Sequence, residues 1–247
     1  MGYLERLPGV DGGNTTRRNA TVTAVYILAG LATVDIISES SENDTPEPPE
    51  SVELQTISQH TEWLQNSASV SGSGRVVTDP LDAARFTAFV YEYEGSNSFT
   101  IELIDSVTEE TEAVLLNEGN PGSGAVGIGL PNGQYALGID ADGDWQIELG
   151  EPTAPEEGRN RPPVKIEGSG PNVFGKVMIS GAVTVRGEHD GESGFVVNAW
   201  DEANTEQTPD ERLFDEVGEF EGETSMDRSG LYYITVEADG AYRIEIE

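Results

Sequence analysis

The sequence predicts an all-β protein: two tandem antiparallel β-sandwich or jelly-roll-like domains that follow an N-terminal hydrophobic helix and a linker. Three observations carry this. Apolar and polar residues alternate over short stretches, Gly, Asn and Asp clusters punctuate those stretches, and much of the chain occurs twice. Gly72-Ser73-Gly74 recurs as Gly168-Ser169-Gly170, Gly95 as Gly191, Phe99 as Phe195 and Asp105 as Asp201, all displaced by 96 residues. Later in each copy, Gly133 to Ile147 matches Gly230 to Ile244, displaced by 97. What both copies keep is needed to fold, and what one copy alone carries is a candidate for function.

Residues 1–19 are Gly-rich and polar and form a cytoplasmic N-terminal segment ending near Arg17-Arg18. Residues 20–38 form a transmembrane or anchor segment. Its core, ATVTAVYILAGLATVDII, carries Asp35 as its only charge and approaches the ~20 apolar residues that a bilayer requires. Arg17 and Arg18 flank it on one side and an acidic run on the other, so the positive-inside rule keeps the N-terminus in the cytoplasm and places the rest outside. Two other readings stand for this stretch. A cleaved signal peptide needs a small-residue cleavage site, and Val34-Asp35-Ile36 is a poor one; alternatively the segment packs between subunits of an assembly. Residues 39–66 are an acidic, Pro-rich stalk, extended by proline and self-repulsion, with an N-glycosylation sequon at Asn43. Residues 52–64 read two ways: Leu54, Ile57, Thr61 and Leu64 fall at helical spacing, while Val52 and Leu54 alternate as in a strand.

The first β-sandwich repeat spans 67–150 and the second 163–247, joined by a stiff Pro-rich linker over 151–162. Tyr135, Leu137 and Ile139, then Trp145, Ile147 and Leu149, share one face of two successive strands, which predicts a half-buried antiparallel hairpin. The density of such strands implies seven or eight per copy.

The closing pattern Gly133-x-Tyr135-x-Leu137-x-Ile139-Asp140-Ala141-Asp142-Gly143-Asp144-Trp145-x-Ile147 resembles the terminal hairpin of secreted prokaryotic β-sandwich modules such as the pre-peptidase C-terminal domains. The resemblance covers about fifteen residues per copy. It implies an extracytoplasmic accessory or adhesion-type module and supplies no catalytic residues.

Charge bounds the environment. There are 46 Asp and Glu against 13 Lys and Arg, for a net charge of −33, and Lys165 and Lys176 are the only lysines. Alternation and a 36% apolar fraction exclude a wholly disordered acidic chain. Self-repulsion of this size is screened at about 1 M salt, where the Debye length is roughly 3 Å. Scarce lysine with retained arginine resembles the usage of haloarchaeal proteins. Arg17-Arg18 is the only dense basic spot, which disfavours nucleic-acid binding, since a phosphate backbone needs Lys or Arg clusters. Cysteine is absent, which removes disulfides and thiolate metal sites.

Asp140, Asp142 and Asp144, with Glu151, fall at the first, third, fifth and twelfth positions of an EF-hand-like calcium loop. Trp145 stands where that loop needs glycine, and the second copy breaks the set at Ala241. Both copies keep Ala-Asp-Gly between the same strands, so a hairpin turn accounts better for the pattern than bound Ca²⁺. His60 and His189 are too far from convergent partners for a triad or zinc site, and Ser71 to Gly74 is a bend rather than a nucleophile elbow. Differences between copies mark Tyr91 and Tyr93, against Gly187 and His189, and Trp200, against Ile104. As strand aromatics these belong to a core more often than to a face for sugars or protein. The expectation is a non-enzymatic, membrane-anchored extracellular protein of a halophile, without a cofactor, partnered by the membrane and by itself or other surface proteins. A structural protein of a halophilic virus particle or surface filament, with a capsid partner, is the alternative. An accessory module of a secreted hydrolase comes last.

Overall fold

A computed structural model describes residues 51–119, 122–153 and 160–247. The expected anchor at 20–38, its flank Arg17 and Arg18, and Asn43 lie outside these residues. Strands dominate: β1 (Val52–Glu53), β2 (Leu64–Ser73), β3 (Val76–Val77), β4 (Leu81–Glu94), β5 (Ser98–Asp105), β6 (Thr111–Gly119), β7 (Ser123–Asp140) and β8 (Asp144–Pro152) come first. The second copy supplies β9 (Val164–Ser169), β10 (Asn172–His189), β11 (Gly194–Asp201), β12 (Glu211–Val217), β13 (Phe220–Ala238) and β14 (Ala241–Ile246). Two 3₁₀ turns, Ile57–Gln59 and Thr61–Trp63, precede β2.

Each copy is built around one seven-stranded sheet, in the order β1-β9-β14-β10-β13-β11-β12 for the second, whose seventh strand β1 comes from before the first copy, and β2-β8-β4-β7-β5-β6 for the first, with β3 beside β7. In the second copy β10 and β13 pair along their whole length, from Asn172 opposite Val236 to His189 opposite Phe220. Their neighbours take opposite ends. β11 pairs with β13 over 232–238, whereas β14 pairs with β10 over 185–189. The sheet therefore folds over on itself about the middle of the long pair, with strands passing from one layer to the other. Gly181 sits at this bend with φ +97°, a conformation that glycine adopts freely. Rings from the two layers then meet: His189 of β10 stacks on Phe195 of β11 at 4.9 Å, and Tyr242 of β14 lies 6.4 Å from the same ring. The first copy repeats the scheme, with Tyr93 stacked on Phe99 at 4.6 Å. Arg85, displaced by 96 from Gly181, holds the left-handed corner there at φ +55°. The result is sandwich-like and almost entirely β.

The expected hairpin between 135–139 and 145–149 does not form. β7 pairs with β3, β4 and β5, and β8 pairs with β2 and β4, but β7 and β8 do not pair with each other. Residues 141–143 are an arch that carries the chain from one layer to the other. Alternation identified the inward face of each strand correctly, since Leu137, Ile139, Ile147 and Leu149 are all buried. It carried no information on whether those faces lie side by side or face to face. The link between β4 and β5 is a second arch, and in the second copy the links from β10 to β11 and from β13 to β14 are arches too.

The two copies interlock. Trp200 and Tyr233 lie on the outer face of their sheet, alternating with the inward Ala199 and Ile234, yet both belong to the core of the first copy together with Val173. Phe86 stacks on Tyr233 at 4.7 Å and lies 5.7 Å from Trp200, while the Tyr233 hydroxyl donates to the Pro152 carbonyl. The segment before the first copy is woven into both. β1 runs parallel to β9, Leu54 enters the second core, and the fully buried Ile57 enters the first. Over residues 51–66 the expected extended stalk is thus replaced by a packed strap, because its apolar residues find pockets on both copies. The described residues belong to one compact unit.

Candidate functional site

The two arches of each copy touch, and a carboxylate staples them. Asp142 accepts hydrogen bonds from the backbone N–H groups of Ser96 (3.2 Å) and Asn97 (3.3 Å), from Ser96 Oγ (3.1 Å), from the Asn97 amide and from the Tyr93 hydroxyl. The Tyr93 bond above all, with the Asn97 and Ser96 donors, holds its carboxyl far below the usual range. Asp239 does the same in the second copy, accepting from the N–H groups of Glu192 (3.1 Å) and Ser193 (3.0 Å). His189 takes the place of Tyr93, with Nε2 3.4 Å from Asp239. Glycines make the contact possible. A Cβ on Gly95 would stand 2.4 Å from Asp142 Oδ1, and one on Gly143 would stand 2.6 Å from Gly95 Cα. Gly191 and Gly240 are equally crowded, which explains why both copies keep these residues.

The calcium reading loses its ligands to this arrangement. Asp142 is engaged by the arch, Asp140 pairs with Arg75, Asp144 opens β8 in an exposed position, and Glu151 accepts from Asn66 at 3.4 Å. Among the described residues no three carboxylate or histidine side chains converge on a common point. Ala-Asp-Gly is an arch rather than the expected hairpin turn. His60 stacks on Trp63 at 4.2 Å, and His189 lies buried with Nδ1 3.0 Å from the Gly218 carbonyl. Tyr91, Tyr93 and Trp200 are buried at 0%, 5% and 4% exposure, so they form no open aromatic face. Trp200 differs from Ile104 for a packing reason: it fills the core of the other copy.

One site emerges where the copies meet. A cleft of about 240 Å³ opens between β6 and β7 of the first copy and β11, β12 and β13 of the second. Leu115, Val126, Ile128 and Pro209 supply apolar walls, and Asn198, Thr235, Gln207, Arg212 and Glu237 supply polar groups. Alternation places Asn198 and Thr235 here, on the outer face that also bears Trp200 and Tyr233. Asn198 is 6% exposed, and its Oδ1 meets no donor among the described residues. The Thr235 hydroxyl accepts from Trp200 Nε1 at 3.0 Å, which leaves its own hydrogen to donate elsewhere. Arg212 reaches Asp215 at 2.7 Å and Gln207 Nε2 reaches Glu112 at 2.9 Å. Desolvation, then the charge of Glu118 across the seam, raises the Glu237 carboxyl pKa, and Arg212 offsets part of the rise. Glu118 is raised in turn by desolvation and by Asp239. Sequence reasoning missed Asn198 and Thr235. Their counterparts Glu102 and Gly138 differ from them, so the comparison of copies contained the signal, but nothing in it said that this face is covered.

No family model matches the chain, and no curated protein matches it. Solved structures give remote likenesses. A conserved protein of unknown function from Pseudomonas aeruginosa is 12% identical with a TM-score of 0.22, over 73% of this chain and 78% of that one. A mutant oxalate decarboxylase from Bacillus subtilis is 12% identical with a TM-score of 0.21, over 78% and 71%. A fucolectin from striped bass (Morone saxatilis) serum is 11% identical with a TM-score of 0.20, over 72% and 84%. Likenesses of this order carry no conclusion about fold or activity.

Proposed function

We propose that the chain is a non-enzymatic, membrane-anchored surface protein of a halophile that holds a rigid pair of β modules outside the cell for a structural or binding role. The placement of charge supports this most directly. Among the described residues no Asp or Glu is buried, and Lys176 is the one buried cation, held by Glu202 at 2.8 Å and lying over the Tyr233 ring. Lys165, Arg75, Arg186, Arg212, Arg228 and Arg243 all pair with carboxylates, and Arg85 and Arg161 stand exposed without an ion pair among the described residues, so the exterior is an acidic shell in which most of the few described cations are neutralised. Such a shell is soluble and only weakly self-repelling where the Debye length falls to roughly 3 Å. Of the carboxylates that both copies share, Asp142 and Asp239 staple the arches and Asp105 and Asp201 cap the turns after β5 and β11, architectural uses in keeping with a non-catalytic role. Residues 20–38, with Arg17 and Arg18 before them, supply the anchor in this reading. Among the described residues no helix is long and apolar enough to cross a membrane, and residues 20–38 lie outside that set.

Fractionation of the native protein tests the proposal. It should sediment with membranes, resist salt washes, leave with detergent, and expose the β unit to protease added from outside. Recovery in the cytosolic fraction overturns it. Recovery in particles or filaments free of lipid selects a virion or filament protein instead.

A further inference from the structure

We propose that the cleft between the two copies is a binding site for one small neutral polyol, a single sugar residue or a compound of that size. The inference holds whether or not the chain is membrane-anchored. Its starting point is Asn198, whose buried Oδ1 has no donor among the described residues. Burying an acceptor without a partner is unfavourable, and beside a cleft a bound hydroxyl group would relieve that cost. Reversing the amide would exchange an orphan acceptor for an orphan donor, so the demand for a partner does not depend on its orientation.

The lining specifies the chemistry. Thr235 Oγ1 already accepts from Trp200 and can donate, and Arg212 has N–H groups beyond the one directed at Asp215. Gln207 uses its Nε2 on Glu112 and keeps its Oε1 free to accept, as Asn198 does. Donors and acceptors therefore both line one small space. Hydroxyl groups, which donate and accept at once, satisfy such a set. A carboxylate ligand would meet Arg212 but would leave Gln207 Oε1 unmatched and would face Glu237. An ammonium ligand would meet Glu237 and be opposed by Arg212. Leu115, Val126 and Ile128 offer apolar surface for the C–H face of a ring.

Size bounds the occupant. The volume of about 240 Å³ lies below the roughly 300 Å³ at which pockets for drug-sized ligands begin, which limits the cleft to about one ring. Neither copy has the site alone. On the corresponding face of the first copy, Glu102 and Gly138 stand where Asn198 and Thr235 stand in the second, and no second sheet covers them.

Ligand-observed NMR and calorimetry on the full chain in about 1 M KCl, which screens the acidic shell, test this with glucose, N-acetylglucosamine and glycerol as probes. A ligand of about a dozen non-hydrogen atoms should bind with Kd on the order of 1 mM. Asn198→Ala and Thr235→Val should each weaken binding about tenfold, the effect of one lost hydrogen bond. Glu102→Ala, on the corresponding face of the first copy, should leave binding unchanged. Gln207→Ala lies on an exposed loop and reads the same site if a core variant fails to fold. Absence of binding by all three probes well above millimolar concentration overturns the proposal, as does binding unaffected by Asn198→Ala and Gln207→Ala. Acetate or glycine binding more tightly than the sugars overturns the ligand class.

Discussion

Replacing Trp200 with alanine tests whether the two copies are one cooperative structure. Trp200 lies on the outer face of the second copy, where an independent module would leave it in water, yet it is 4% exposed within the first copy's core. Burying an aromatic of this kind removes about 150–250 Å² from water, worth roughly 4–6 kcal/mol at ~25 cal/mol per Å² as an upper bound. Large-to-small aromatic substitutions in cores cost about 3–5 kcal/mol. The variant also removes the donor that Thr235 accepts from at 3.0 Å. A loss of about 4 kcal/mol is therefore expected, which lowers Tm by roughly 8–16 °C for a unit of this size. Ile104→Ala is the internal control. It changes the same position of the first copy, on a face that no other sheet covers, and should cost less than about 1 kcal/mol. Denaturant unfolding in about 1 M KCl gives both values, and amide hydrogen exchange shows where protection is lost. Exchange should quicken in β4 and β7 of the first copy as well as in β11 and β13. A cost for Trp200→Ala no larger than for Ile104→Ala, or protection lost in the second copy alone, would refute the interlocked core.

Other perturbations read the remaining contacts. Gly181→Ala should destabilise by about 1–2 kcal/mol although its Cβ would meet nothing within 4 Å, because φ +97° is costly for any side chain; a null result in denaturant titration would remove the corner argument. Gly95→Ala should cost about 1–3 kcal/mol by the opposite mechanism, overpacking of Tyr93 and Asp142 where the arches touch, and an unchanged unfolding midpoint would show that the arches can part freely. Glu118 has a raised pKa in the fold, so the folded state binds its proton more tightly and this group's contribution to stability falls as pH rises above its ordinary 4.5. Glu118→Gln should accordingly stabilise at pH 7 and have no effect below 4.5, and destabilisation at neutral pH would reverse the assigned sign. Thermal melts should rise by many degrees between about 0.1 M and about 1 M KCl as the Debye length shrinks from ~10 to ~3 Å; melts independent of salt would remove the halophile reading.

Much of the fold is legible in the chain itself. The duplication points to two β sheets, and the density of alternating stretches to their strands. Alternation identified Leu137, Ile139, Ile147 and Leu149 as inward, and all four are buried. These are local properties, because the period of a strand assigns each residue to a face whatever lies opposite. The turn chemistry was legible in kind only. Ala141-Asp142-Gly143 marks a reversal, but a hairpin and an arch ask the same residues to reverse the chain, and only the neighbouring strands decide between them. Asp142 drew attention as a metal ligand because a carboxylate's sequence position does not say which donors surround it; the donors came from an arch 46 residues away.

The sequence by itself determined the β class, the repeat, the acidic shell and the inward face of most strands. Tertiary structure alone decided the arches, the strap at Leu54 and Ile57, and the burial of Trp200 and Tyr233 on what alternation marks as an outer face. It also decided the cleft around Asn198. The physical reason is that a strand pattern records which side of a sheet is dry, and a residue on the outer side becomes dry only when another surface arrives. That surface is the other copy, more than a hundred residues away from Trp200 at Phe86, and no local periodicity can encode it.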